Sequence, residues 1–285
     1  MRVLVTGASG QLGSEIKSLS KKFTHNEFFF EDSKGLDITD SKRVDAYIAD
    51  NNIDTVINCA AYTSVDKAES EEETAERVNG EAVKNLVQSL SKKKGKLIHI
   101  STDYVFNGKS YIPYKENDEV DPIGVYGKTK RKGEEYLLNS EIEGVIIRTS
   151  WVYSSFGNNF VKTMLKLGED RNELNVIFDQ VGSPTYAKDL GELCLNLLDK
   201  DFNTDSKIYH YSNEGVLSWF DFAKAIMEIS GKTCEVYPIE TKDYPTPAKR
   251  PNFSLLNKSK IKKDFGIEIP YWRDSLKMCI NEIES

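Results

Sequence analysis

Histidine, cysteine and long apolar runs are scarce in this chain of 285 residues. Its three histidines, His25, His99 and His210, stand far apart and show no metal-ligand spacing. His99, in the strand-like run KLIHIS, reads as a buried structural histidine. The four cysteines, Cys59, Cys194, Cys234 and Cys279, are widely separated and form no C-x-x-C pair. Reduced, mostly buried thiols in a cytoplasmic protein are the simplest reading. No apolar stretch is long enough to span a bilayer, and MRVLVTG enters a strand-like run and a glycine turn almost at once. Neither a membrane span nor a secretory signal is therefore expected. Basic charge is short as well: 38 Lys and Arg stand against 45 Asp and Glu, a formal net charge of −7. That balance disfavours nucleic acid or an anionic membrane as the main partner. Low-complexity tracts, short repeats and a long linker are missing too.

What is present is the composition of a soluble globular protein, 39% apolar and 29% charged. The first half alternates strand and helix signals. RVLVT, NEFFFE, DTVINCAAY, KLIHIST and GVIIRTS are apolar runs of the kind buried on both faces of a parallel sheet. Between them, GEAVKNLVQSLSKKKG places Val83, Leu86, Val87 and Leu90 on one helical face and closes with lysines and Gly95. The expected fold class is α/β, a doubly wound, Rossmann-type parallel sheet with a smaller C-terminal lobe. The expected dinucleotide-binding half is residues 1–150, with 186–215 returning to it through IYHYSN as one more strand. Residues 151–185 and 216–285 are expected to form a substrate-binding lobe over the carboxyl ends of the strands. Within it TSWVYSSFGNNF reads as a loop, FVKTMLKLGEDR as a helix and ELNVIFDQVGSPTY as a strand with a polar turn.

VLVTGASGQLGSEI sets Gly7, Gly10 and Gly13 between the first strand and a helix beginning near Gln11. Such glycines let the backbone turn tightly against a pyrophosphate, and the helix start at Gln11, Leu12 and Gly13 offers free N–H groups. The spacing is G-x-x-G-x-x-G rather than G-x-G-x-x-G. Glu31 ends the second strand eighteen residues beyond Gly13, where a carboxylate holds a ribose 2′-hydroxyl; a solvated acidic turn with Asp32 is the plain alternative. Lys34 nearby is suited to a 2′-phosphate in part. NADH is expected to serve at least as well as NADPH.

Tyr126 and Lys130, in DPIGVYGKTKRKGEEYLL, lie four apart in a stretch that suits an amphipathic helix, so they share a face. Tyr111 and Lys115 have the same spacing, but Pro113 between them argues against a helix there. Spacing alone does not separate a catalytic pair from two ordinary residues.

The series T-G-x-x-G-x-x-G, NCAAYT, STDYVF and Y-x-x-x-K resembles the extended short-chain dehydrogenase/reductase superfamily. NCAAYTSVDKAE, STDYVFNG, RTSWVY, GNNFVKTML, DQVGSPT and RPNFSLL resemble, in order, the dTDP-4-dehydrorhamnose reductase family. The resemblance implies NADH- or NADPH-dependent reduction of the 4-keto group of dTDP-4-dehydro-β-L-rhamnose, for cell-surface polysaccharide synthesis. It implies Tyr126 as proton donor and Lys130 as the cation that draws the phenol pKa toward neutral and holds the nicotinamide ribose. Thr102 fills the position that polarises the carbonyl, with Ser101 as its rival on the opposite strand face. Ala60, Ala61 and Tyr62 would line the cofactor, with Asp37 and Ile38 flanking the adenine and Ile100 facing the cofactor from the fourth strand. Asp103 and Trp151 fit the sugar pocket, although Trp151 is equally suited to packing between lobes. Asn159, Gln180 and Arg250 are further candidates for the sugar or its diphosphate.

Sugar-nucleotide dehydratases of the same superfamily carry an Asp–Glu pair after the threonine. Tyr104 follows Asp103 here, so elimination is disfavoured. Some reductases of the family use magnesium through glutamates at a subunit contact. Glu15 fits that pattern, but Lys188 stands where an acidic partner belongs, and no metal is expected. The partner expected is a nucleotide-sugar substrate, bound by a monomer or homodimer. The alternatives are a reductase or epimerase of another nucleotide sugar and a non-catalytic regulatory subunit, the regulatory β subunit of methionine adenosyltransferase being similar to this family.

Overall fold

A computed structural model describes residues 1–200, 202 and 207–285. The first half runs β1 (Arg2–Thr6), α1 (Gln11–Leu19), β2 (Glu27–Glu31), α2 (Ser41–Asp50), β3 (Thr55–Asn58), the short helices α3 (Val65–Ala68) and α4 (Glu72–Glu76), α5 (Ala82–Ser91), β4 (Lys96–Thr102), α6 (Val125–Leu138) and β5 (Glu143–Thr149). The remainder runs β6 (Val152–Tyr153), α7 (Phe160–Asp170), β7 (Glu173–Ile177), β8 (Val181–Gly182), β9 (Thr185–Tyr186), α8 (Ala187–Leu197), β10 (Ile208–His210), β11 (Leu217–Ser218), α9 (Trp219–Ile229), β12 (Glu235–Ile239), α10 (Ser259–Phe265) and α11 (Trp272–Glu284).

The main sheet has the order β10-β5-β4-β3-β1-β2, and every pairing in it is parallel. Its strands are apolar on both faces, as a sheet covered by helices on two sides requires. Val3, Val5, Ile57, Ile98, Val145 and Ile147 pack with α1 and α8 on one side. Leu4, Val56, Leu97 and Ile146 pack with α2, α5 and α6 on the other. The order in which successive strands are added reverses between β1 and β3, which opens a crevice at their carboxyl ends. Beneath it Asn58 is buried, taking a hydrogen bond from Thr6 Oγ1 (2.6 Å) and meeting His99 Nδ1 at 3.1 Å.

β10 extends the main sheet beside β5, in agreement with the strand expected at IYHYSN. A second core joins α7, α9 and α11 through Leu165, Tyr186, Phe222, Trp272 and Leu276. The parallel pair β7–β12 covers part of it. The loop expected over TSWVYSSFGNNF contains β6, paired with β9. Two-residue strands carry too little alternation to be read from sequence.

One buried ion pair ties the helix α6 to this sheet. Arg148 on β5 donates to Glu134 on α6 through Nε (2.8 Å) and Nη2 (2.7 Å), with side chains 1% and 0% exposed. Ser101 Oγ on β4 (2.7 Å) and Arg131 Nη1 (3.0 Å) also donate to that carboxylate. Burial pushes the Glu134 carboxyl up, but the bonds from Arg148, Ser101 and Arg131 outweigh it and hold it below its ordinary value. Removing Arg148 leaves the buried Glu134 charge with only Arg131 and Ser101 to meet it. Arg148→Ala is therefore expected to destabilise the fold by about 3–5 kcal/mol in urea unfolding. A loss under about 1 kcal/mol would show that α6 is anchored elsewhere.

Candidate functional site

The crevice is floored by the turn after β1. Gly7 has φ +65°, and a Cβ placed there would lie 2.7 Å from the Ala60 nitrogen. Only glycine lets this turn and the β3 loop approach so closely. Gly10 is the N-cap of α1 and supplies no side chain to it, so the N–H groups of Gln11, Leu12 and Gly13 have no acceptor within the helix. The Ala8 N–H donates to the Glu31 carbonyl (3.0 Å), which brings the end of β2 against the turn. This cradle fits the diphosphate of a dinucleotide.

Around it the expected cofactor residues are placed as follows. Glu31 stands at the end of β2, with Oε1 taking a hydrogen bond from Tyr47 OH on α2 (2.8 Å). Asp32 is turned back to its own loop, accepting from the Lys34 (2.9 Å) and Gly35 (3.3 Å) N–H groups. Asp37 accepts from the N–H (3.0 Å) and hydroxyl (2.8 Å) of Thr39, bonds that hold its carboxyl below the ordinary range. Ile38 is buried beneath α2 and α5, and its carbonyl accepts from Asn85 (3.0 Å). Ala60, Ala61, Tyr62 and Ile100 are half-buried along the crevice.

At the carboxyl end of β4 the alternation of side chains sorts Ser101 from Thr102. Ser101 is spent on Glu134, whereas the Thr102 hydroxyl donates to Asp103 Oδ1 (3.0 Å) and stands near enough to the Tyr126 phenol to favour its ionised form. Tyr126 and Lys130 share one face of α6, and the Tyr104 ring meets Tyr126 edge-on at 5.5 Å. Burial, then the Asp103 charge, pushes the Tyr126 phenol up to about 12 against the opposing Thr102 hydroxyl. The expectation that Lys130 draws this phenol toward neutral is not met. Lys130 Nζ is turned to the Ile100 carbonyl (2.6 Å), and its ammonium is pushed down to about 8 by burial, opposed by Glu134 and Cys59. The phenol thus stays protonated at neutral pH, the state required of a proton donor.

Of the candidates later in the chain, Asn159 reaches the crevice through Gln11. Trp151 adopts φ +49° and stacks on Trp219 at 3.7 Å between ring centroids. A non-glycine residue in this region stores on the order of 1–3 kcal/mol, a cost that recurs at binding sites. Asn159 caps α7 by accepting from the Lys162 N–H (3.1 Å) and donates to Gln11 Oε1 (3.0 Å) beside the glycine turn. Gln180 is buried and donates to Thr241 Oγ1 (3.1 Å). Arg250 forms a two-pronged pair with Asp66 (3.1 and 2.7 Å). Glu15 is buried and accepts from Ser154 Oγ (2.6 Å), while Lys188 pairs with Glu282. Among the described residues no group of three or more His, Cys, Asp or Glu is arranged to hold a metal.

Two contributors escaped the sequence reading. Asn79 sits buried in a π-helical turn, Arg77–Glu81. It accepts from the Tyr62 N–H (2.9 Å) and donates to the Tyr62 carbonyl (3.2 Å) and Thr129 Oγ1 (3.1 Å), so it joins the cofactor-side loop to α6. Asn-Gly inside an otherwise helical stretch was the available signal. Ser254 lies beside the Asp103 carboxyl and lowers its pKa, although Asp103 Oδ2 has no hydrogen bond of good geometry.

Sheet order, glycine turn and the Thr102, Tyr126 and Lys130 set define the class of extended short-chain dehydrogenase/reductases. Within it the chain belongs to the family described as RmlD substrate binding domain, whose model matches residues 1–285. It is 42% identical to the spore coat polysaccharide biosynthesis protein SpsK of Bacillus subtilis, over 100% of this chain and 98% of that protein. It is 41% identical to a dTDP-4-dehydrorhamnose reductase of Aggregatibacter actinomycetemcomitans, over 97% of each. A crystal structure of dTDP-4-dehydrorhamnose reductase from Bacillus anthracis in complex with NADP aligns over 99% of both chains, with TM-score 0.92 and 36% identity. Family and fold class agree with the expectations above.

Asp103 gives the site a measurable pH signature. Burial pushes its carboxyl up to about 6, opposed by the Ser254 and Thr102 hydroxyls. A folded pKa above the unfolded value stabilises the fold fully below about pH 4, and that contribution is lost as pH rises through 6. Asp103→Asn does not titrate. Its stability relative to the unsubstituted protein should rise between pH 4 and pH 7.5 by as much as about 3 kcal/mol in urea unfolding. A difference independent of pH would contradict the buried, charged carboxylate.

Proposed function

We propose that this chain reduces the 4-keto group of dTDP-4-dehydro-β-L-rhamnose to give dTDP-L-rhamnose, with NADH or NADPH as reductant. The observation that carries the reading is the meeting of Thr102 at the end of β4 with Tyr126 on the first turn of α6, beside a glycine cradle, in a chain that matches its reductase family throughout. When bound, the nicotinamide supplies the hydride. Gly7, Gly10, Gln11, Leu12 and Gly13 hold its diphosphate, Glu31 the adenine ribose, and Ala60, Ala61 and Tyr62 the path toward the nicotinamide. Asp37 and Ile38 flank the adenine through their loop.

With substrate bound, Thr102 turns its one hydroxyl proton from Asp103 to the sugar carbonyl and so favours negative charge on that oxygen. Tyr126 delivers the proton that makes it an alcohol. Lys130 keeps α6 against β4 through the Ile100 carbonyl and would supply a cation to the nicotinamide ribose of a bound cofactor. Asp103 and Trp151 orient the deoxysugar, Trp151 through an aromatic face suited to its apolar patch. Asn159, Gln180 and Arg250 serve the more distant groups of the nucleotide. Tyr104 after Asp103 leaves no second carboxyl for elimination, which favours simple reduction over dehydration. The 1–150 half with 186–215 carries the cofactor, and 151–185 with 216–285 carries the substrate. The enzyme works in the cytoplasm and supplies a sugar donor for cell-surface polysaccharide.

Incubation with dTDP-4-dehydro-β-L-rhamnose and NADPH or NADH should oxidise the cofactor and yield dTDP-L-rhamnose. Tyr126→Phe should still bind NADPH yet lose kcat by roughly 10²–10⁴-fold, the usual worth of a positioned acid. Near-normal turnover would remove Tyr126 from the chemistry. No turnover by the unsubstituted protein would favour a non-catalytic member of the family.

A further inference from the structure

The segment that leaves β3 at the crevice, Ala60–Glu71, is gripped at several points before the chain enters α4. Tyr62 is held through its backbone by Asn79, and its hydroxyl donates to Glu71 (2.7 Å). Asp66 on α3 takes both prongs of Arg250 and the Ala248 N–H (3.1 Å), a bond 182 residues away in sequence. Ala68 is fully buried in a small apolar cluster with Ala75 and Val125, against which Tyr62 and Tyr126 pack. Immediately after α3, Glu69 turns its carboxylate the other way, and Oε1 accepts the Val125 N–H at 2.9 Å.

Val125 is the first residue of α6 and Tyr126 the second. The N-cap of that helix is Gly124, which offers no side chain to the exposed N–H groups of the first turn. A Cβ at Gly124 would stand 2.8 Å from Glu69 Oε1. Glycine there leaves room for a carboxylate supplied from another element. An anion at a helix start also meets the favourable end of the helix dipole. Glu69 itself lies at the exposed rim, so it is not held by burial. Its place is set by α3, which Ala68 packs against Val125 and which Asp66 fastens to Arg250.

We propose that Glu69 is a positioning residue for the reduction: it caps α6 from outside the helix and so fixes where Tyr126 stands relative to Thr102. This deepens the reductase reading and rests on it. Without the cap the first turn of α6 loses the side-chain acceptor that Glu69 supplies and frays. Tyr126 lies on that turn, whereas Lys130 lies one turn deeper and is held by Ile100. The consequence is selective. The phenol loses its place while the cofactor cradle, built on β1 and α1, does not. Misplacement by about an ångström at a reacting group costs up to about 10²-fold in rate.

The experiment compares Glu69→Ala, Glu69→Gln and the unsubstituted full chain. Glu69→Ala should lower kcat by about tenfold or more, with the KM for NADPH changed by less than about twofold. Glu69→Gln should recover kcat to within about threefold, because its amide oxygen accepts the same N–H. Amide hydrogen exchange supplies a readout that does not depend on turnover. Protection of residues 125–128 should fall in Glu69→Ala, persist in Glu69→Gln and stay unchanged around Gly7–Gly13. Equal kcat and equal protection in Glu69→Ala would overturn the proposal, as would a rise in the KM for NADPH that accounts for the whole loss. An unsubstituted chain without turnover would sink the reductase reading, and the exchange comparison would still decide whether Glu69 orders α6.

Discussion

Two opposite charges buried together, Glu134 on α6 and Arg148 on β5, set the conditions for everything above them. Each ion loses several kcal/mol of hydration on burial, and only good geometry with further hydrogen bonds repays it. Here the carboxylate is met by Arg148, Ser101 and Arg131, so little freedom is left to the helix that carries it. α6 can neither slide along its axis nor roll without stranding a charge. Lys130 lies one turn back from Glu134 and Tyr126 two turns back, on the same face. The ion pair thus sets the axis of the helix that carries the candidate proton donor, and the cap from Glu69 orders the first turn on which Tyr126 stands.

The site built on this anchor is buried at its base, where Thr102, Asp103 and Lys130 lie. Burial acts in opposite senses on its charges, pushing the Lys130 ammonium down and the Asp103 carboxyl up. Both groups stand close to their ionisation points near neutral pH, while the Tyr126 phenol keeps its proton. Perturbed groups gathered in one cleft mark chemistry more often than packing. Trp151, with φ +49° and its ring stacked on Trp219, carries a backbone cost of the kind that recurs at binding sites.

The main sheet was legible because parallel strands buried on both faces write themselves as continuous apolar runs, as in RVLVT and KLIHIST. The glycine turn and the Tyr126 and Lys130 pair were legible because their signals are local, a fixed spacing within one turn or one helix. Contacts across the chain were not. Nothing near Arg148 in sequence points to Glu134, nor near Asp66 to Arg250, since these meet only after folding. Glu31 stands at the expected strand end, but its bond to Tyr47 depends on how α2 packs. The direction of the Lys130 ammonium was missed for a related reason: the competing acceptor is a backbone carbonyl, which every residue has. Asn79 was hidden by a one-residue expansion of a helix that periodicity does not register.

The central claim is that sugar C4 is reduced directly, with the proton from Tyr126 going to oxygen. The most direct test is turnover of dTDP-4-dehydro-β-L-rhamnose in heavy water with unlabelled NADPH, followed by NMR of the dTDP-sugar product. Direct reduction leaves protium at sugar C4, because solvent deuterium reaches only the exchangeable hydroxyl. Deuterium bonded to carbon at that position would mean that the hydrogen came from solvent, and would contradict the account.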